Sequence, residues 1–234
     1  MLAIHQWVML KFASPAWMMK RRKPSRYISR TAYLDPASAG SYERDRFSSA
    51  LGRYRWRREM DGVGEIVDML PPGLSVLDCP CGTGRWWAVL QRRALRIHGV
   101  DLSPAMLDVA TARIERIGVP VEVSVGDAER LEFDDDSFDA VFSHALTKHL
   151  PIPIQHKVLT EFARVSREWV ICSFSLLGHI TYEFWRRRNL VDSNALLPEQ
   201  LDDVAAAAGL AEVARSRCTT PIGVEHSVLF RKRR

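Results

Sequence analysis

From about residue 59 onward the chain alternates short runs rich in β-branched and aromatic residues with segments whose apolar positions recur at helical spacing. "LSVLD" (74–78) follows a "PPG" turn and predicts a first strand, and "RWWAVLQRRA" (85–94) predicts a helix behind it. "RIHGVD" (96–101) predicts a second strand. Ser103 as an N-cap, Pro104 at the first helical position and the apolar face of "AMLDVATARIERI" then predict a helix that Gly118 ends. "VEVSVGD" (121–127) and "FDAVFSH" (138–144) predict the third and fourth strands, with a helix near Gln155 to Val165 after them. "EWVICSFS" (168–175) is the nearly unbroken apolar run that a parallel strand covered on both faces requires. The aromatic and arginine-rich stretch 180–190 reads as an irregular insert. "LPEQLDDVAAAAGL" (197–210) predicts a helix with Gly209 at its end, and "AEVARSRC" and "HSVLFRKR" predict two strands that pair antiparallel at the end of the sheet.

Strand alternating with helix specifies the α/β class: a doubly wound, mostly parallel, seven-stranded sheet with an N-terminal helical extension, which takes its ligands outside the carboxyl ends of the strands. No internal repeat or long low-complexity run interrupts it.

Composition adds one asymmetry. With 47% apolar residues among 234 the chain can bury a sizeable core, and its net charge of +5 divides unevenly. Residues 1–58 hold 13 Lys or Arg against three acids, while the remainder holds 20 against 25. The opening "MLAIHQWVMLKFASPAWMMKRRK" invites a membrane or targeting reading. A bilayer span needs about 20 predominantly apolar residues, and His5, Gln6, Lys11 and Pro15 interrupt a shorter run. The basic cluster also follows the apolar stretch, the reverse of a secretory signal. No transmembrane span is expected; the segment reads as a loose tail, with Met9, Met18 and Met19 as alternative starts, or as an element that touches a partner or a membrane interface through residues 1–23. Residues 1–40 are set apart as an extension from a domain over 41–234. Four scattered cysteines, with no export signal ahead of them, suit a reducing cytoplasm rather than a disulfide framework.

The stretch "LDCPCGTG" (77–84) lies between a predicted strand and helix, where a tight turn lets a ligand approach the backbone. A P-loop would continue with Gly-Lys-Ser/Thr, and Arg85-Trp86 stands there instead. A dinucleotide-binding turn would place a third glycine where Trp87 stands, and zinc would need two more ligands near Cys79 and Cys81. The two cysteines read as small residues shaping the turn. Asp101 ends the second strand 23 residues after Asp78, the interval at which a carboxylate can accept from two ribose hydroxyls. The ligand left by elimination is a nucleoside without a pyrophosphate.

From Tyr42 to about Phe174 the chain resembles the class I S-adenosylmethionine-dependent methyltransferases. "VLDCPCGTGR" is similar to their first glycine-rich motif, "GVDLSPAML" to the second, "VGDAERLEF" to the third and "FDAVFSHALTKHLP" to the fourth, all in order. The resemblance implies S-adenosyl-L-methionine as cofactor, with Asp78, Cys79, Pro80, Cys81, Gly82 and Gly84 around its methionine end and Asp78 facing the ammonium directly or through water. It also implies Asp127 as partner of the adenine amino group, Ala128 as a backbone donor to the ring, and Leu102 and Met106 either packing on the adenine or belonging to the core. Ser143 joins the cofactor-binding set, and Tyr42, Arg46 and Arg53 would fold over the cofactor.

A sulfonium methyl is already activated, so the protein chiefly aligns the acceptor and excludes water. A hydroxyl acceptor must also lose its proton, and His144 and His149 follow the fourth strand, where the acceptor would lie. The expected reaction is methyl transfer to a small-molecule oxygen or nitrogen. "RYRWRR" (53–58) and "KRRKPSR" (20–26) interleave charge with aromatics as nucleic-acid binders do. Yet "SHAL" stands where base-amino methyltransferases carry an "NPPY"-type tetrapeptide, so a nucleic-acid substrate is not expected. Cleavage or cyclisation of the cofactor, or binding without catalysis, remain open on the same fold. The identity of the acceptor and the oligomeric state are not encoded in any motif.

Overall fold

The structure, a computed structural model, describes residues 47–93, 96–118, 120–187, 194–219 and 224–233. The expected extension over 1–40, Tyr42, Arg46 and positions 188–190 of the insert lie outside the described residues.

In chain order the elements are α1 (Ala50–Val67), β1 (Ser75–Asp78), α2 (Trp87–Leu90), β2 (Arg96–Asp101), α3 (Pro104–Ile117), β3 (Val121–Val125), β4 (Phe138–Ser143), α4 (Ile152–Val165), β5 (Ser166–Ser175), α5 (His179–Arg187), α6 (Pro198–Ala207), β6 (Leu210–Arg217) and β7 (Glu225–Lys232). The seven strands form one sheet in the order β3-β2-β1-β4-β5-β7-β6. β7 runs antiparallel to both of its neighbours, and the pairs among β1 to β5 are parallel. The closing antiparallel pair is as the sequence predicts.

Side chains of a strand alternate between faces, and both faces here are covered. Leu77, Val141, Val170 and Cys172 point into one core with α4 and α6. Val76, Ala140, Phe142 and Ile171 point into the other with α1 and Trp86, Trp87 and Leu90. This double burial is why the strands read as continuous apolar runs.

Local signals hold at α3, where the Ser103 hydroxyl accepts from the Met106 N–H at 3.2 Å and Gly118 closes the helix. Two expectations are corrected. The described part of the expected irregular insert is helical: His179–Arg187 form α5, with Ile180 and Phe184 one turn apart and exposed. The helix expected over 85–94 is shorter, with α2 confined to four residues and followed by a 3-10 turn over Gln91–Arg93. At the end of that turn the Arg93 guanidinium donates twice to the Leu70 carbonyl, at 3.2 and 2.9 Å.

α4 is fastened to the β3–β4 connection by Arg164, which donates to the Leu131 and Phe133 carbonyls at 3.0 and 2.7 Å and pairs with Glu161 at 2.7 Å. Glu161 returns the bond by accepting from the Leu131 N–H at 2.7 Å. Among the described residues no helix is long and apolar enough to cross a membrane.

Candidate functional site

The sheet order runs one way from β1 to β3 and the other way from β4 onward, so the connections leaving the carboxyl ends of β1 and β4 part and open a crevice. A cavity of about 170 Å³ lies there. Its wall is built from the turn after β1 (Cys79, Pro80, Cys81, Gly82, Thr83, Arg85), the entry to α3 (Asp101, Leu102, Ser103, Met106), the turn after β3 (Gly126, Asp127, Ala128) and the segment after β4 (His144, Ala145, Leu146, His149, Leu150), closed by Val158 of α4.

The turn after β1 is held on both sides. The Cys79 N–H donates to the Phe142 carbonyl at 2.9 Å and the Cys81 N–H to the Val100 carbonyl at 2.8 Å. Arg113 of α3 donates to the Thr83 carbonyl at 2.8 Å. Asp101 joins this turn to α3: one carboxylate oxygen accepts from the Gly82 N–H at 2.8 Å, the other from the Ser103 N–H at 2.9 Å. Each oxygen of a carboxylate has two acceptor directions, so the group keeps capacity for a ligand. Burial pushes its pKa up, and the N–H groups of Ser103 and Gly82 oppose that shift.

Of the two routes open to Asp78, direct contact with the ammonium or contact through water, its position does not provide the direct one. The residue is fully buried beneath the turn, outside the cavity wall. Neither its oxygens nor the Trp87 indole nitrogen makes a hydrogen bond within ordinary limits. Burial pushes its carboxyl well above the usual range, with the nearby Trp87 indole acting in the opposite direction. Gly84 and Ser143 also stand behind the wall, Gly84 against the Trp87 ring and the Ser143 hydroxyl toward Cys172. Arg53 is exposed on α1, where its guanidinium donates to the Ser48 carbonyl, and does not line the cavity. Met106 is both core and wall, being 4% exposed and in contact with the cavity. Asp127 lines the cavity while one of its oxygens accepts from the Glu129 N–H at 3.0 Å. Burial, reinforced by Asp78 and Asp101, pushes the Cys79 and Cys81 thiols well up, which leaves them neutral packing groups.

The segment after β4 brings both histidines to the same cavity, His144 buried and His149 exposed. Its bend passes through Ala145, a non-glycine residue at φ 64°. That conformation costs about 1 to 3 kcal/mol and persists only where its surroundings impose it. Ser173 of β5 does so: its hydroxyl accepts from the Ala145 N–H at 2.7 Å, and its carbonyl accepts from the Thr147 hydroxyl.

Charged residues at or beside the site that the sequence reading did not single out are Arg85, Glu59, Lys148 and Glu225. Arg85 lines the cavity and donates to Glu59 of α1 at 3.1 Å, its guanidinium lying 4.7 to 5.5 Å from the rings of Trp86, Trp56 and Phe47. Lys148 donates to both carboxylate oxygens of Glu225 at 2.9 Å. Arg85 was visible as the residue directly after the glycine turn, whereas nothing in the local pattern marks Glu59 or Glu225.

A family model described as a methyltransferase domain matches residues 76–168. The biotin biosynthesis bifunctional protein BioHC of Teredinibacter turnerae is 31% identical over 172 residues, covering 67% of this chain and 30% of that protein. The malonyl-[acyl-carrier protein] O-methyltransferase of Serratia marcescens is 33% identical over 144 residues, covering 60% and 50%. The chain thus spans half or less of the length of these two relatives. Magnesium protoporphyrin IX methyltransferase from Synechocystis PCC 6803, solved with bound S-adenosylhomocysteine, superimposes with a TM-score of 0.60 at 16% identity, over 82% of this chain and 99% of that one, which is a likeness of fold.

Proposed function

Because the chain belongs to the class I S-adenosylmethionine-dependent methyltransferase family, we propose that it transfers methyl from S-adenosylmethionine to an oxygen or nitrogen of a small molecule. The observation that carries this reading is one cavity whose wall holds both a nucleoside-type acceptor, Asp101 beside the glycine turn, and two histidines after β4. A relative named as an O-methyltransferase supports an oxygen acceptor.

The donor set fits the cofactor. Asp101 retains acceptor capacity toward the cavity, and a Cβ at Gly82 would meet nothing within 4 Å, which leaves room for a ligand against the backbone. When bound, S-adenosylmethionine supplies an activated methyl, to which the acceptor's lone pair forms a bond while the carbon–sulfur pair returns to sulfur. Asp101 holds the ribose hydroxyls; Asp127 and Ala128 meet the adenine edge, with Leu102 and Met106 against its face. Asp78, buried below the turn, acts on the ammonium through water. His144 in the wall and His149 at its exposed rim are the candidates to take the acceptor's proton.

Isothermal titration with S-adenosylhomocysteine tests the cofactor half. Asp101→Ala is expected to lose about 1.5 to 3 kcal/mol of binding free energy, the scale of hydrogen bonds to a charged group. Undiminished affinity in that variant sinks the site.

A further inference from the structure

Among the described residues Arg85 is the one lysine or arginine in the cavity wall, where the carboxylates of Asp101 and Asp127 are the other permanent charges. It is 8% exposed and firmly held. Glu59 accepts from its Nη1 at 3.1 Å, and the rings of Trp86, Trp56 and Phe47 lie 4.7, 4.9 and 5.5 Å from the guanidinium carbon. A guanidinium is planar and carries five N–H donors, of which the pair with Glu59 uses one. Nε and Nη2 together form an edge that matches both oxygens of a carboxylate. These two nitrogens donate to no described residue, and they are not sealed off: the neighbouring Trp86 indole nitrogen is buried without a partner, whereas no nitrogen of Arg85 is in that condition. An arginine that served only to fasten α1 would spend this edge on protein acceptors, since a buried donor left without a partner costs about 1 to 3 kcal/mol. The edge is therefore available to a ligand in the cavity that Arg85 lines.

We infer that Arg85 is the carboxylate-binding residue of the cavity, its Nε–Nη2 edge gripping a ligand carboxylate while Glu59 and the three rings hold the guanidinium in place. The inference deepens the proposed function and rests on it. S-adenosylmethionine carries one carboxylate and no phosphate, and Arg85 directly follows the glycine turn to which its methionine end is assigned. A carboxylate on the methyl acceptor presents the same chemistry. Arg53, by contrast, stands outside the wall. Glu59 is a positioning residue here: by taking Nη1 from the α1 side it leaves the opposite edge of the fork to the ligand.

Isothermal titration of the wild type, Arg85→Met and Arg85→Lys with S-adenosylhomocysteine and with methylthioadenosine, which lacks the amino-acid part, tests it. Lysine keeps the charge beside Glu59 but replaces the fork by a point charge, so it serves even where the methionine variant does not fold. If the carboxylate is the cofactor's, the variants are expected to bind S-adenosylhomocysteine about ten- to a hundredfold more weakly, the scale of hydrogen bonds to a charged group, and methylthioadenosine as the wild type does. If it is the acceptor's, both nucleosides bind unchanged. Acetate, succinate or benzoate titrated into the wild type loaded with S-adenosylhomocysteine then binds, and that binding is lost in the variants. Equal loss of affinity for both nucleosides in Arg85→Lys would show that Arg85 only shapes the turn, and unchanged affinities with no carboxylate bound by the loaded wild type would leave its edge without a ligand. Either result overturns the inference. A wild type that binds neither nucleoside overturns the cofactor reading itself, and this inference falls with it.

Discussion

Trp87 occupies the position at which a dinucleotide-binding turn carries its third glycine, and its indole is wholly buried. Space for it is made by two glycines. A Cβ at Gly84 would lie 2.5 Å from the indole and one at Gly99 3.0 Å from it. Gly84 also has φ +69°, so its requirement is double, whereas Gly82 at φ +54° faces open space. The two therefore serve different ends. Gly84→Ala is expected to lose about 2 to 5 kcal/mol of stability in urea denaturation, from a left-handed backbone costing roughly 1 to 2 and ring overlap costing about 1 to 3. Gly82→Ala should pay only the backbone cost of about 1 to 2 kcal/mol but lose S-adenosylhomocysteine affinity in titration, since its methyl group enters the cavity wall. Equal destabilisation by the two substitutions would refute this division of roles.

Helices and strands were legible where their signals are local. The Ser103 cap, the apolar face of α3 and the double-faced apolar run of β5 depend on residues within a few positions of one another. α5 was missed because the aromatic and apolar residues of "HITYEFWRR" are interspersed with polar and charged ones, and two of them, Ile180 and Phe184, are exposed in the fold. Arg164 shows how one side chain joins elements. Hydrogen bonding to Arg164 lowers the pKa of Glu161 from its ordinary 4.5. A carboxyl whose folded pKa is depressed adds stability that is fully present above its unfolded value and lost as pH falls through the folded one. The pair's contribution is therefore fully present above about pH 4.5 and is lost as pH falls from there through the lower folded value. Arg164→Met is expected to cost about 1.5 to 3 kcal/mol at pH 7 and to flatten the decline in stability below pH 4.5, measured as urea midpoints across pH. An unchanged acid slope would show that the pair contributes nothing to it.

For the whole molecule, the cavity lies where the strand order reverses, so a ligand there touches the turns after β1, β2, β3 and β4 together. Such a ligand binds only the folded chain. At a hundred times its dissociation constant, S-adenosylhomocysteine should add about 2.7 kcal/mol of stability. For a domain of this size each kcal/mol raises Tm by about 2 to 4 °C, so a rise of roughly 5 to 10 °C is expected in a thermal scan. NAD should give none, and a rise with NAD in place of S-adenosylhomocysteine would return the turn after β1 to the dinucleotide binders.

By itself the sequence determined the α/β alternation, the glycine turn after the first strand and the carboxylates that end the second and third, because each is written in neighbouring residues and in the periods of strand and helix. Only the tertiary structure decided that Asp78 lies under the turn rather than in the cavity wall, and that Glu59, Arg85, Lys148 and Glu225 surround His144. Glu59 and Glu225 stand at opposite ends of the described chain, and their meeting depends on β7 inserting between β5 and β6 while α1 packs across β6 and β7. Those placements follow from which surfaces bury together, a property of the folded whole that no local period records.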